Sequence, residues 1–197
     1  KPCRLYCSRC MATGLSLPEP LQLGLKVFIL RHPKEALAKS SAAPLPMLAP
    51  DVQVREWKPG MSADHPPGTW LVYPSKDAVD AAHVDWSSVN GLVLVDSRWK
   101  HAGAVVADRQ LRLEGLPAMR LNLSEGGRSC FWRSATEKLA DVEGLLSTAE
   151  CLHHLLRLRA DCLRAPSSHL QPPDHRLDDL LLFFALRLRL VVEEYAD

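Results

Sequence analysis

No apolar stretch in this sequence is long enough to cross a bilayer as a helix. The longest, LLLFFALRLRLVV over residues 180–192, is broken by Arg187 and Arg189 and falls short of the ~20 apolar residues a span requires. Net charge is also nearly absent: 24 Lys and Arg face 23 Asp and Glu, for a formal +1. A generally basic, nucleic-acid-coating protein is thereby excluded, and any RNA contact has to come from a local patch. No internal repeat is visible, and no secretory leader is read at the N-terminus. The expectation is an intracellular protein, in the nucleus or cytoplasm, with no membrane or DNA partner. In that compartment the Asn122-Leu123-Ser124 sequon carries no meaning.

What is present suits one globular domain with a short appendage. The 197 residues are 47% hydrophobic, enough to fill a core. Fifteen prolines cluster largely at 18–20, 44–50, 59–74 and 166–173, which read as loops. Three of the six cysteines, Cys3, Cys7 and Cys10, crowd into the first ten residues. Residues 1–15 are therefore set apart as a cysteine-containing segment and 16–197 as the main domain. Cys7-x-x-Cys10 is a half-site for zinc, with Cys3 a third ligand and the fourth elsewhere. The bland alternative is thiols in a frayed terminus.

Short apolar runs alternate with helical patterns. LKVFIL (25–30), VQVREW (52–57), TWLVYP (69–74), GLVLVD (91–96) and PAMRLNL (117–123) read as strands. Ser75 is placed to cap a short helix over KDAVDAA, residues 98–109 read as a helix, and Ser147–Arg164 and Leu177–Tyr195 as long ones. Residues 36–50 read as a loop with one helical turn. The pattern predicts an α/β fold with a mostly parallel sheet and flanking helices.

Ligands in such sheets bind beyond the carboxyl ends of the strands. Those ends carry Arg31-His32-Pro33, Tyr73-Pro74-Ser75, Asp96-Ser97-Arg98-Trp99 and Asn122. Asp96 is thus either the N-cap of the following helix or a carboxylate at a site. Trp99 is either core or a platform for a base. Ser147-Thr148-Ala149-Glu150 has the Ser-x-x-Glu pattern of a capping box.

Asp96-Ser97-Arg98-Trp99 does not stand alone. His32-Pro33-x-Glu35 and Lys39-Ser40-Ser41-Ala42 precede it, and Cys130-Phe131-Trp132-Arg133, Ser147-Thr148-Ala149-Glu150 and Leu180-Leu-Leu-Phe-Phe184 follow. In this order they resemble the DTW-domain family of tRNA-uridine aminocarboxypropyltransferases, most closely its animal-type branch. The resemblance implies a SPOUT-like fold with a C-terminal trefoil knot, a rare exception to the usual connection rules. It implies S-adenosylmethionine as donor, tRNA as partner, and transfer of the 3-amino-3-carboxypropyl arm to uridine N3. On that reading Asp96 is the catalytic base. The donor site draws on Tyr73, Pro74, Ser75, Ser97, Arg98, Trp99, Leu116, Pro117, Ser147 and Thr148. Arg98 or Arg133 is placed to take the donor carboxylate.

For RNA the candidates are Lys34, Lys39, Lys100, Arg128, Trp132 and Arg133, beside His101 and the His153-His154-x-x-Arg157-x-Arg159 helix face. Adjacent His153 and His154 point about 100° apart on a helix and make a poor chelate. One departure stands out. The family signature has Thr or Ser at its third position, and here it is Arg98. Arg98 either takes a role on phosphate or donor carboxylate, or weakens activity. The alternatives left open are a non-catalytic RNA-binding paralogue, an RNA methyltransferase and a ribosomal-RNA aminocarboxypropyltransferase.

Overall fold

The computed structural model describes residues 5–7, 10–122, 146–164 and 175–194. Six strands form one sheet in the order β2-β1-β5-β3-β6-β4. They are β1 Lys26–Arg31, β2 Val52–Glu56, β3 Thr69–Val72, β4 Val79–Asp80, β5 Gly91–Asp96 and β6 Ala118–Arg120. Every pairing among them is parallel, so the sheet is parallel throughout the described residues. The helices are α1 Leu45–Leu48, α2 Trp99–Val106, α3 Thr148–Leu163 and α4 Leu182–Glu194.

Parallel strands are covered on both faces, so their apolar residues run continuously rather than alternating with polar ones. β5 is the clearest case. Leu92 and Leu94 enter one core with Val27 and Ile29 of β1, Leu45 and Leu48 of α1, and Leu152, Leu155 and Leu156 of α3. Val93 enters the opposite core with Leu30, Leu71, Val105 of α2, Leu111 and Leu113. Two-residue periodicity then sends Asp96, which follows Leu92 and Leu94 in parity, toward the α3 side. The N-terminal segment is packed on that side as well. Tyr6 meets Phe183 edge-on at 5.2 Å between centroids, and burial raises the Tyr6 pKa.

Three local expectations are corrected. The helix expected over 76–82 is a turn, the two-residue strand β4 and a 3-10 turn at Ala81–His83. Asp80 captures the Ala82 N–H at 2.9 Å, while Val79 and Asp80 pair with β6. The helix expected over 98–109 stops at Val106. Asp108 instead accepts from Trp57 Nε1 at 2.9 Å, Gly60 N at 3.0 Å and Gln110 N at 3.0 Å, and these contacts turn the chain. The helix expected over 177–195 divides into a 3-10 stretch, His175–Leu181, and α4. The knot depends on the course of 123–145, which lies outside the described residues. Among the described residues no helix is long and apolar enough to cross a membrane.

Candidate active site at the carboxyl edge of the sheet

Asp96 ends β5 with only 5% of its surface exposed. Both of its carboxylate oxygens are held by hydroxyls. Ser40 Oγ donates to Oδ2 at 2.6 Å, and Thr148 Oγ1 donates to Oδ1 at 2.8 Å. The Ser40 hydrogen has no other direction to take. Its oxygen already accepts the N–H groups of Ala42 at 3.1 Å and Ala43 at 3.0 Å, and these use both lone pairs.

The N-terminus of α3 is docked onto the same loop. Ala149 N donates to Ser41 Oγ at 3.2 Å. Ser147 accepts from Glu150 N at 3.3 Å, and Glu150 Oε2 accepts from Ser147 N at 2.8 Å, completing the capping box that the sequence predicts. Three short stretches, 40–41, 96 and 147–150, are therefore one hydrogen-bonded cluster.

Asp96 does not cap α2. The cap residue is Arg98, whose side chain makes no capping bond. Burial pushes the Asp96 pKa up most strongly. The Ser40 and Thr148 hydroxyls pull it down, Glu35 raises it and Arg31 lowers it, and the net direction is upward.

A cleft of about 240 Å³ lies beyond β3, β5 and β6, lined by residues that include Tyr73, Pro74, Ser97, Arg120, Thr148 and Cys151. Its position is the carboxyl edge of a parallel sheet, where such folds bind ligands. Four of the expected donor-site residues, Tyr73, Pro74, Ser97 and Thr148, line it together. Asp96 stands behind Thr148 and is not in the lining, so the carboxylate meets the cleft through a hydroxyl.

The other expected donor residues, Trp99 apart, lie outside the cleft lining. Ser75 sits in the turn after β3, where its N–H donates to Tyr73 O at 2.8 Å. Ser147 serves the helix cap. Leu116 packs on the α2-side core. Pro117 O accepts the Leu71 N–H at 2.9 Å as the chain enters β6, before the strand reaches the cleft. Arg98 is exposed on the rim. Trp99 is the first residue of α2, and its side chain lies outside what is described.

The sequence reading missed Arg120, the last residue of β6, which lines the cleft while donating to Ala78 O at 3.0 Å. The strand-end rule would have found it had β6 been ended two residues earlier than Asn122. It also missed Cys151, whose thiol burial pushes up to about 12. Cys151 is protonated at neutral pH and is no nucleophile.

Of the expected RNA-binding residues, Lys34, Lys39 and Lys100 are exposed. Arg128, Trp132 and Arg133 lie outside the described residues. The α3 face is occupied by structural contacts. Arg157 Nη1 and His153 Nε2 both reach Asp178 Oδ1 at 2.8 Å, and Arg159 donates to Leu23 O at 3.1 Å. His153 and His154 meet edge-on at 5.7 Å.

The zinc expectation finds no support. Cys7 is half-buried and Cys10 exposed, while Cys3 lies outside the described residues. Among the described residues no group of three or more His, Cys, Asp or Glu side chains is arranged to hold a metal ion.

Known proteins are similar to this chain. The rat (Rattus norvegicus) tRNA-uridine aminocarboxypropyltransferase 1 is 26% identical over 241 aligned positions, covering 95% of this chain and 73% of the rat protein. The solved structure of the SAM-dependent rRNA:acp-transferase Tsr3 from Vulcanisaeta distributa superposes with a TM-score of 0.46 at 18% identity, covering 84% of this chain and 82% of that one. The DTW domain model matches residues 1–191, nearly the whole sequence, and with the clustered motifs this chain belongs to the DTW domain family.

Proposed function

We propose that this chain is an S-adenosylmethionine-dependent aminocarboxypropyltransferase acting on N3 of a tRNA uridine. Membership of the DTW family and the likeness to the rat tRNA-uridine enzyme support the reaction class. The observation that carries the reading is the strand-end cleft walled by the Thr148 hydroxyl and backed by a buried carboxylate.

Uridine N3 becomes a nucleophile as its proton leaves. With the base against the cleft wall, Thr148 Oγ1 takes the N3 proton while passing its own to Asp96 Oδ1, an oxygen it already donates to at 2.8 Å. Burial, which raises the Asp96 pKa, suits the carboxyl to hold that proton. As the proton moves, the N3–Cγ bond forms, the Cγ–S bond breaks, and methylthioadenosine leaves with the electron pair. A positioned acid–base group of this kind contributes about 10²–10⁴-fold. Arg120 offers the cleft a guanidinium suited to the donor's carboxylate. Tyr73 and Pro74 offer an apolar wall for its adenine.

Arg98 bears on the rival reading of a non-catalytic RNA-binding paralogue. It is exposed and outside the cleft lining, so the cation at the signature's third position leaves that cleft open. Mass spectrometry of tRNA nucleosides after incubation with protein and S-adenosylmethionine tests the proposal. An aminocarboxypropyl-uridine adduct is expected. A methyl adduct would favour a methyltransferase, the absence of any adduct would favour RNA binding without chemistry, and an adduct on ribosomal RNA alone would move the substrate.

A further inference from the structure

Beside the cleft, three rings are packed in series at the carboxyl edge of β1 and β2. Trp57 lies 5.3 Å from His32, and His101 lies flat on His32 at 4.8 Å with 11° between planes. His32 and Trp57 are buried, while His101, on α2, closes the stack toward solvent. Lys34 N–H donates to His32 Nδ1 at 3.1 Å. That bond uses Nδ1 as the acceptor and turns the other ring nitrogen, Nε2, away from Lys34.

Lys34, Lys100 and Arg98 lie near enough to the outer ring to bear on its charge. Lys34, Arg98 and Lys100 are all exposed, and none makes an ion pair or a side-chain hydrogen bond among the described residues. The acids nearby are turned away or buried. Asp96 gives its carboxylate to Ser40 and Thr148 and only its backbone carbonyl to the His32 N–H, at 2.9 Å. Glu35 is buried beside Arg31, which donates to the Glu35 carbonyl and to the Glu56 carboxylate.

We propose that His101, Lys34, Arg98 and Lys100 form a binding site for a phosphodiester of the RNA substrate, and that His101 takes up a proton when the phosphate binds. The choice of an RNA phosphate rests on the proposed function. The site chemistry asks only for a phosphate anion.

In the free protein, desolvation lowers the His101 pKa, and the neighbouring basic side chains of His32, Lys34, Lys100 and Arg98 lower it further. A bound anion offsets that surrounding field, because an opposite charge within ~4–6 Å favours the charged imidazole. Position agrees with chemistry. Ser97 and Ala102, on the same turn and helix as Arg98 and His101, line the cleft. A nucleotide whose base enters the cleft therefore has its phosphate at this rim. The Arg that departs from the family signature then adds a cation to the phosphate site.

The first measurement is the NMR titration of the His101 imidazole in the wild-type protein, with inorganic phosphate and with chloride at matched ionic strength. The midpoint is expected to move up by about one pH unit with phosphate. An unmoved midpoint overturns the proposal. The second is binding of a single-stranded uridine oligoribonucleotide between about pH 5.5 and 8. Wild type is expected to bind about tenfold tighter at the acid end, and H101Q to lose that dependence. A doubly substituted K34Q/K100Q protein is expected to bind more weakly at every pH, with the slope of log K against log salt reduced by about 0.7 per lost phosphate contact. H101Q that keeps the wild-type pH dependence overturns the proposal even if tRNA is modified normally. A moved midpoint and a pH-dependent affinity, in a protein that leaves tRNA unmodified, support the site and overturn the transferase reading alone.

Discussion

Thr148 Oγ1 donates to Asp96 Oδ1 across 2.8 Å, joining the first residue of α3 to the last residue of β5. Fifty-two positions separate them in sequence. The bond puts a hydroxyl between the buried acid and the cleft, and so it sets what substitutions at either end should do.

Thr148→Val keeps the β-branched shape and removes the hydroxyl. Transfer is expected to fall by about 10²–10⁴-fold, with donor affinity close to wild type. Thr148→Ser restores a hydroxyl without the methyl and is expected to recover most of the rate. Single-turnover transfer to tRNA, with calorimetry for the donor, checks both. A serine variant as slow as the valine one would assign Thr148 to packing instead of proton transfer.

Asp96→Asn is expected to fold and to lose a similar factor in rate. The Ser40 hydroxyl has to donate, so the Asn oxygen faces Ser40 and its NH₂ faces Thr148. The Thr148 bond then reverses, and no carboxylate remains to take a proton. Stability changes in the opposite sense. The folded pKa of Asp96 is raised, so between the unfolded value of ~3.9 and the folded one the native state binds more protons. Wild-type stability therefore falls as pH rises through that window. Asp96→Asn should remove this part of the slope, read as chemical-denaturation midpoints from acid to neutral pH.

Ser147→Ala removes the side-chain acceptor for Glu150 N and half of the capping box. The expected loss is about 0.5–2 kcal/mol by urea denaturation, with a smaller effect for Ser147→Asn. The same change loosens the turn that carries Thr148, so a modest drop in transfer rate should accompany it.

Asp178 ties the 3-10 stretch to α3, and its pKa is lowered, first by the hydrogen bond from His153 and then by Arg157. A depressed carboxylate contributes stability that is present above the unfolded pKa of ~3.9 and is lost as pH falls through the folded value. Wild type should therefore be more stable than Asp178→Asn at neutral pH, and the two should converge in acid. Thermal melts of both proteins across that range check the sign. A constant difference at all pH values would show that the carboxylate charge is not what matters.

The strands of the central sheet are legible in the linear chain because a parallel strand buried on both faces is a continuous apolar run. GLVLVD becomes β5 at residues 91–96 as read, and the Ser147–Glu150 capping box forms as read. Both depend on residues within a few positions of each other, where backbone geometry and side-chain reach are set locally. Val79–Asp80 was illegible for the opposite reason. Two residues carry no period, and only the β6 edge makes them a strand. Arg157 and Arg159 read as part of a candidate RNA face, and only the fold brings Asp178 and the Leu23 carbonyl to them. For Asp96 the sequence placed an acid at a strand end and no more. That it clamps Ser40 and Thr148 and reaches the cleft only through a hydroxyl was decided by the tertiary structure. Three segments more than fifty residues apart have to meet before either oxygen has a donor, and no local pattern encodes a bond whose partners are chosen by the packing of a helix on a sheet.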